Sequence, residues 1–144
     1  MSEQDNRRLV EEGISAFNAH DPERYVKNAA DSYVWESDAF PTPIRGRDAV
    51  KQTMSMYFKA FPDLHLEIEK IIASGDYVVD TWRATGTHKG EFNDISPTNR
   101  KINVRGCTVS EVRNGRFVKS ATYSDQLALL QQLGVSVGKA ATAS

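Results

Sequence analysis

The sequence predicts an α+β fold, with helices first and a sheet after them. Through Phe61 the apolar residues recur at helical spacing, and from Leu64 onward they alternate with polar ones at the period of a strand. The strands follow one another through short turns with no internal repeat between them, so the sheet is expected to be antiparallel with helices covering one face.

The elements follow in order. Leu9, Val10, Gly13, Ile14 and Phe17 mark an amphipathic helix over residues 4–19, ending near Asn18-Ala19-His20. Asp21 before Pro22 is an N-cap with proline at the first helical position, and the second helix puts Tyr25, Val26 and Ala29 on one side. Tyr33-Val34-Trp35 is a short strand. After Pro41-Thr42-Pro43, the stripe of Val50, Thr53, Met54, Tyr57, Phe58 and Phe61 defines a third helix, which Pro62 helps to stop.

Leu64, Leu66 and Ile68 then alternate with His65, Glu67 and Glu69 in a strand that turns at Gly75-Asp76 into a longer one, Tyr77 to about His88. Residues 89–100 form a mobile loop rich in turn formers. Strands at about 101–113 and 116–124 meet across Asn114-Gly115, a pair suited to the positive φ angles of a tight hairpin. The apolar alternation slips between Val104 and Cys107, which predicts a bulge or sharp bend near Gly106. A short helix closes the chain.

Composition narrows the function classes. With 144 residues, 40% hydrophobic and a net charge of -1, the chain has room for one core, so residues 1–137 read as a single domain and 138–144 as a flexible tail. The longest apolar runs are three or four residues and the N-terminus is charged, which sets aside a membrane partner and a signal peptide and gives a cytoplasmic expectation. The balanced charge argues against a nucleic-acid partner. The lone Cys107 sits in a strand pattern as a small apolar residue. His20, His65 and His88 share no ligand-like spacing, so no metal is expected, and neither a phosphate loop nor a serine elbow is present.

Several segments carry a family resemblance. Gly86-Thr87-His88-Lys89-Gly90, Pro97-Thr98-Asn99-Arg100, the Asn114-Gly115 turn, and Asp125 leading into Leu129-Leu130-Gln131-Gln132-Leu133-Gly134 resemble, in that order and spacing, the SnoaL-like polyketide (ester) cyclases. Ala16-Phe17-Asn18 and Ile44-Arg45-Gly46 fit as well. The resemblance implies the nuclear transport factor 2-like, or cystatin-like, cone: a strongly curved sheet with a pocket between its concave face and the helices. It also implies a homodimer through the opposite sheet face, catalysis without a cofactor, and a hydrophobic or aromatic small-molecule substrate.

The chemistry implied by the resemblance removes a proton alpha to a carbonyl, and the enolate then attacks a second carbonyl. The family's cyclases carry an Asp three residues before the one matching Asp125, with a His beside it; this chain has Thr122 and Thr108 at those positions. A threonine hydroxyl is no base, but it can hold a substrate oxygen. With Thr108 inward, strand alternation places Gly106 and Ser110 beside it, and Ser120 beside Thr122.

Acid–base candidates are His88, read either as catalytic at the cavity mouth or as a loop anchor, and Asp125, read either as catalytic or as a helix cap. Arg105 could orient a carboxylate or phenolate, or be a solvated strand charge. Trp35 and Trp82 could wall a flat ligand or pack the core. On the outer face, alternation gathers Cys107, Val109, Ala121 and Tyr123 into the expected dimer surface. Three readings follow: a cofactor-free cyclase or isomerase, a cofactor-independent hydroxylase, and a binder without catalysis.

Overall fold

The computed structural model describes residues 2–136. Ser2 and Asp5 close a reciprocal capping box that starts helix α1 (Glu3–Asn18), satisfying amides the first turn leaves free. Asp21 caps α2 (Pro22–Val26) by accepting from the Arg24 amide at 3.1 Å. The predicted second helix is shorter than expected: Ala29 already belongs to strand β1 (Ala29–Ser37). A two-residue strand β2 (Ile44–Arg45) precedes α3 (Arg47–Ala60), whose Val50, Met54 and Ala60 are buried. Strands β3 (His65–Ser74), β4 (Tyr77–Thr87), β5 (Lys101–Arg113) and β6 (Arg116–Ser124) lead to the closing helix α4 (Gln126–Gln132).

The six strands form one sheet in the order β2-β1-β6-β5-β4-β3. The hairpins stand where the turn residues put them, with Gly75 at φ 57°, Asn114 at 52° and Gly115 at 72°. One pairing departs from the antiparallel expectation: β1 runs parallel to β6, from Ala29 beside Phe117 to Ser37 beside Thr122. This long-range partner also extends β1 well beyond the predicted Tyr33–Trp35. The sheet is therefore mixed, and its curved concave face is covered by α1, α3 and α4.

No bulge occurs at Gly106. Pairing with β4 runs unbroken through it and pairing with β6 ends on it, opposite Ser124, while the register shifts fall between Glu111 and Val112, between Ile68 and Lys70 and between Ala29 and Val34. Alternation is kept; the inward residues simply change from apolar to polar where the sheet borders a cavity. Two apolar clusters close the molecule, one around Tyr33, Val50, Met54, Val78 and Phe117, the other around Phe61, Trp82, Phe92, Ile102 and Leu129.

The segment after β4 is tied down rather than loose. The Lys89 and Gly90 amides both donate to the Ala60 carbonyl, Phe92 and Ile95 bond each other, and Phe92 is buried. Among the described residues no helix is long and apolar enough to cross a membrane. The frayed tail expected after Val137 lies outside the described residues.

Candidate functional site

A cavity of about 170 Å³ lies between the concave sheet face and the helices. Strand register lays a polar row across its floor: Asp80 of β4 stands opposite Thr108 of β5, Thr108 opposite Thr122 of β6, and Thr122 beside Ser37 of β1. All four side chains line the cavity. One step deeper, Ser110 and Ser120 face each other with their oxygens 3.3 Å apart. The inward alternation expected of Thr108, Ser110, Ser120 and Thr122 is thus what the sheet adopts, although Ser120 is buried behind the cavity wall rather than in it.

The two threonines are held by the two tryptophans. Trp82 Nε1 donates to Thr108 Oγ1 at 3.0 Å, Trp35 Nε1 donates to Thr122 Oγ1 at 3.0 Å, and the two hydroxyl oxygens are 3.4 Å apart. Proton counting fixes what this unit offers. Each oxygen already accepts from an indole, and one hydroxyl donates to the other, so one O–H remains to donate to a ligand. A carbonyl or enolate oxygen is the matching partner. Trp35 and Trp82 also supply cavity wall, so their packing and ligand-facing roles coincide.

Gly106 makes this arrangement possible. A Cβ there would lie 2.5 Å from two carbons of the Trp82 indole and 2.7 Å from the Tyr123 carbonyl oxygen, so only glycine lets the indole lie across β5 to reach Thr108. From Trp35 a chain of ring contacts runs on through Phe40, Tyr57 and Phe92 with centroids 5.4 to 6.1 Å apart, and Trp35, Tyr57 and Phe92 line the cavity. Gln126 and Ser124 complete this rim, with Gln126 Nε2 donating to Ser124 Oγ at 2.6 Å.

Asp80 was missed in the sequence. It is 4% exposed and has no hydrogen-bond or salt-bridge partner among the described residues, and its burial pushes the carboxyl up to about 7. The signal was available: Val78, Asp80, Trp82 and Ala84 share one side of β4, so the carboxylate falls on a row that is otherwise apolar. Nearby, burial also raises the phenols of Tyr25 and Tyr33, with the Asp80 charge adding to the effect on Tyr25.

The expected acid–base residues lie elsewhere. His88 does not stand at the cavity mouth: it is fully buried and outside the cavity lining. Its Nδ1 accepts from the Thr98 amide at 3.2 Å and lies 3.0 Å from Thr98 Oγ1, while its backbone bonds Asn99 and Arg100. These contacts fasten both ends of the 89–100 segment, the work of an anchor. Asp125 is exposed and accepts from the Ala128 amide at 2.9 Å, capping α4 outside the cavity. Arg105 projects from the outer sheet face, its side chain 68% exposed and 3.7 Å from Glu69, so it cannot orient a ligand in the cavity.

A curved sheet, covering helices and a cavity between them define a cone of the nuclear transport factor 2 and ketosteroid isomerase type. The SnoaL-like polyketide cyclase model matches residues 7–133, and the chain belongs to that family. Among solved structures it is similar to AclR, a candidate hydroxylase from Streptomyces galilaeus, at 28% identity and a TM-score of 0.82, over 92% of this chain and 83% of that one. IdmH, a candidate polyketide cyclase from Streptomyces antibioticus, aligns at 30% identity and a TM-score of 0.77, over 90% and 99%. A candidate SnoaL-like cyclase from Jannaschia reaches a TM-score of 0.85 at 18% identity over 93% and 94%, a likeness of fold. Comparison with curated proteins gave no match.

Proposed function

We propose that the protein binds an aromatic or polyketide-like carbonyl compound in its cone and converts it by cofactor-free enolate chemistry, as a cyclisation or isomerisation. The observation that carries this reading is the Thr108–Thr122 pair, which lines the cavity and, with each oxygen bonded by an indole, has one hydroxyl proton left to give to a ligand. Fixed donors aimed at an oxygen that gains charge stabilise the transition state more than the ground state. The cavity's size sets the scale of what enters. A void of about 150 Å³ takes one benzene ring, so the buried part of the substrate is about one ring with its carbonyl, and the remainder extends past the aromatic rim.

Acetophenone in deuterated buffer tests this without knowledge of the natural substrate. The protein is expected to catalyse exchange of the methyl protons, followed by NMR. Thr122→Val should slow exchange by roughly 10²-fold, the scale of losing one oxyanion donor, while Thr122→Ser, which keeps the oxygen, retains it. Exchange no faster than in buffer would sink the reading. The likeness to AclR supports a second one, cofactor-independent hydroxylation of an activated ring; oxygen uptake with a hydroxynaphthoquinone substrate distinguishes it.

We also propose a homodimer through the outer sheet face. Cys107, Val109 and Ala121 are half-buried there, and Tyr123 is 55% exposed. Sedimentation at micromolar concentration should show a dimer that Tyr123→Glu dissociates; a wild-type monomer would contradict the assignment.

A further inference from the structure

We propose that Asp80 is the general base of this cavity, replacing from β4 the carboxylate that the family's cyclases carry on β6 at the position of Thr122. The inference rests on the enolate reading above and identifies the proton acceptor that reading needs.

Placement is the first argument. Asp80, Thr108 and Thr122 are consecutive members of one cross-strand row on the concave face. Directly opposed residues on neighbouring strands hold their Cβ atoms roughly 5 Å apart. A carbonyl oxygen held by the threonine pair, with its α-carbon two bonds away, thus lies in the same cavity and within one strand spacing of the Asp80 carboxylate. His88 and Asp125 have no such access, since neither lines the cavity.

The second argument is the carboxylate's isolation. A buried Asp with a structural role is normally paired or hydrogen-bonded, because burying the charge alone is costly. Asp80 has no such partner among the described residues, and its neighbours on the inward side of β4, Val78, Trp82 and Ala84, are apolar. Packing alone would be served better by an apolar residue. What remains is a group kept free to meet a ligand.

The surroundings suit the task. From α1 the cavity receives Val10, Gly13, Ile14 and Phe17, none of them ionisable, and from β5 Thr108 and Ser110. Tyr25 of α2 is the titratable group that faces Asp80, with Tyr33 of β1 interacting with Tyr25 in turn. Both phenols stay neutral near pH 7, burial holding their ionisation above the usual tyrosine range. Among the described residues no cation draws the carboxyl down, and burial sets it close to neutrality, where a base best combines availability with proton affinity.

The step balances without a further reactant. Asp80 takes a proton from the α-carbon; the C–H electron pair becomes the C=C bond of the enolate, and the carbonyl π pair moves to the oxygen held by the threonine hydroxyl. The enolate carbon then bonds to a second carbonyl carbon, whose oxygen takes up the proton that Asp80 removed, or it is reprotonated by Asp80. Either route leaves the substrate's oxidation level unchanged.

The deciding experiment is acetophenone exchange in wild type, Asp80→Asn and Asp80→Ser, with ligand affinity read separately from fluorescence of the two tryptophans, both of which wall the cavity. Both variants should lose roughly 10² to 10⁴-fold in exchange rate, the contribution of a positioned base, with affinity changed by less than about 3-fold. The wild-type rate should rise with pH to a plateau above about 7. Carboxyl ¹³C shifts of labelled protein give a readout independent of the variants' folding: one resonance, titrating near neutrality and perturbed by acetophenone, is expected. A variant that binds and exchanges like wild type, or a protein whose carboxyl resonances all titrate below about pH 5, overturns the role of Asp80 alone. Absence of exchange in wild type overturns the enolate reading with it.

Discussion

Asp80→Asn is expected to raise the melting temperature by about 5 to 15 °C at pH 8 and to change it by less than about 2 °C at pH 4. Burial moves the carboxyl from its ordinary 3.8 up to about 7. The folded state therefore binds this proton more tightly than the unfolded chain does. The associated stability is fully present below about pH 4 and is lost as pH rises through about 7. The gap corresponds to up to about 4 kcal/mol, reduced in practice because water can enter the cavity. Asparagine keeps the shape and cannot ionise, so it escapes the loss at high pH and gains nothing at low pH. Glu12 and Asp5, whose carboxyls are lowered by the Arg24 and Ser2 hydrogen bonds, produce pH dependence of the opposite sign in both proteins. The difference between the two melting curves isolates Asp80. Equal shifts at both pH values would show that the carboxylate is solvated and not held in an apolar cavity.

A site residue that costs stability is what a functional constraint looks like in the fold. It also explains why the sequence did not reveal it. Ser and Thr on alternating positions of β5 and β6 were readable because, with Thr108 taken as inward, strand period assigns them to one face. Asp80 follows the same period, on the row of Val78, Trp82 and Ala84, but an acidic residue between Val79 and Thr81 is ordinarily taken as solvent-facing, and only the register with Thr108 joins it to the polar row. The parallel β1–β6 pair was hidden for a related reason. Turns report only on neighbouring strands, and nothing local in Ala29–Ser37 encodes a partner that begins at Phe117. His88 shows the limit from the other side: its motif was correctly singled out, yet residue type and motif could not say whether the imidazole faced the cavity or Thr98.

Gly106→Ala is expected to lower the melting temperature by about 10 °C, shift tryptophan emission to the red and slow acetophenone exchange by roughly 10²-fold. The added Cβ would sit 2.5 Å from the Trp82 ring and 2.7 Å from the Tyr123 carbonyl oxygen. The backbone of β6 is held by the sheet on both sides, so the indole is the part that must yield. Overpacking costs about 1 to 3 kcal/mol, and the displaced indole also gives up its bond to Thr108, worth about 1 kcal/mol. Their sum, about 3 kcal/mol, corresponds to the stated temperature shift at about 3 °C per kcal/mol for a chain of this size. The chemical loss has a separate origin. Without the Trp82 N–H to fix it, Thr108 can turn its own proton elsewhere, and the pair no longer presents one donor in one direction. Trp82→Phe isolates the chemical loss, because it removes the N–H without crowding Gly106, while also deleting the indole carbons that lie over that glycine. It should reproduce most of the loss in exchange, with a stability loss that comes from vacated space rather than from overpacking. If Gly106→Ala melts and exchanges like wild type, the indole does not lie across Gly106, and the orientation of the threonine pair has another cause.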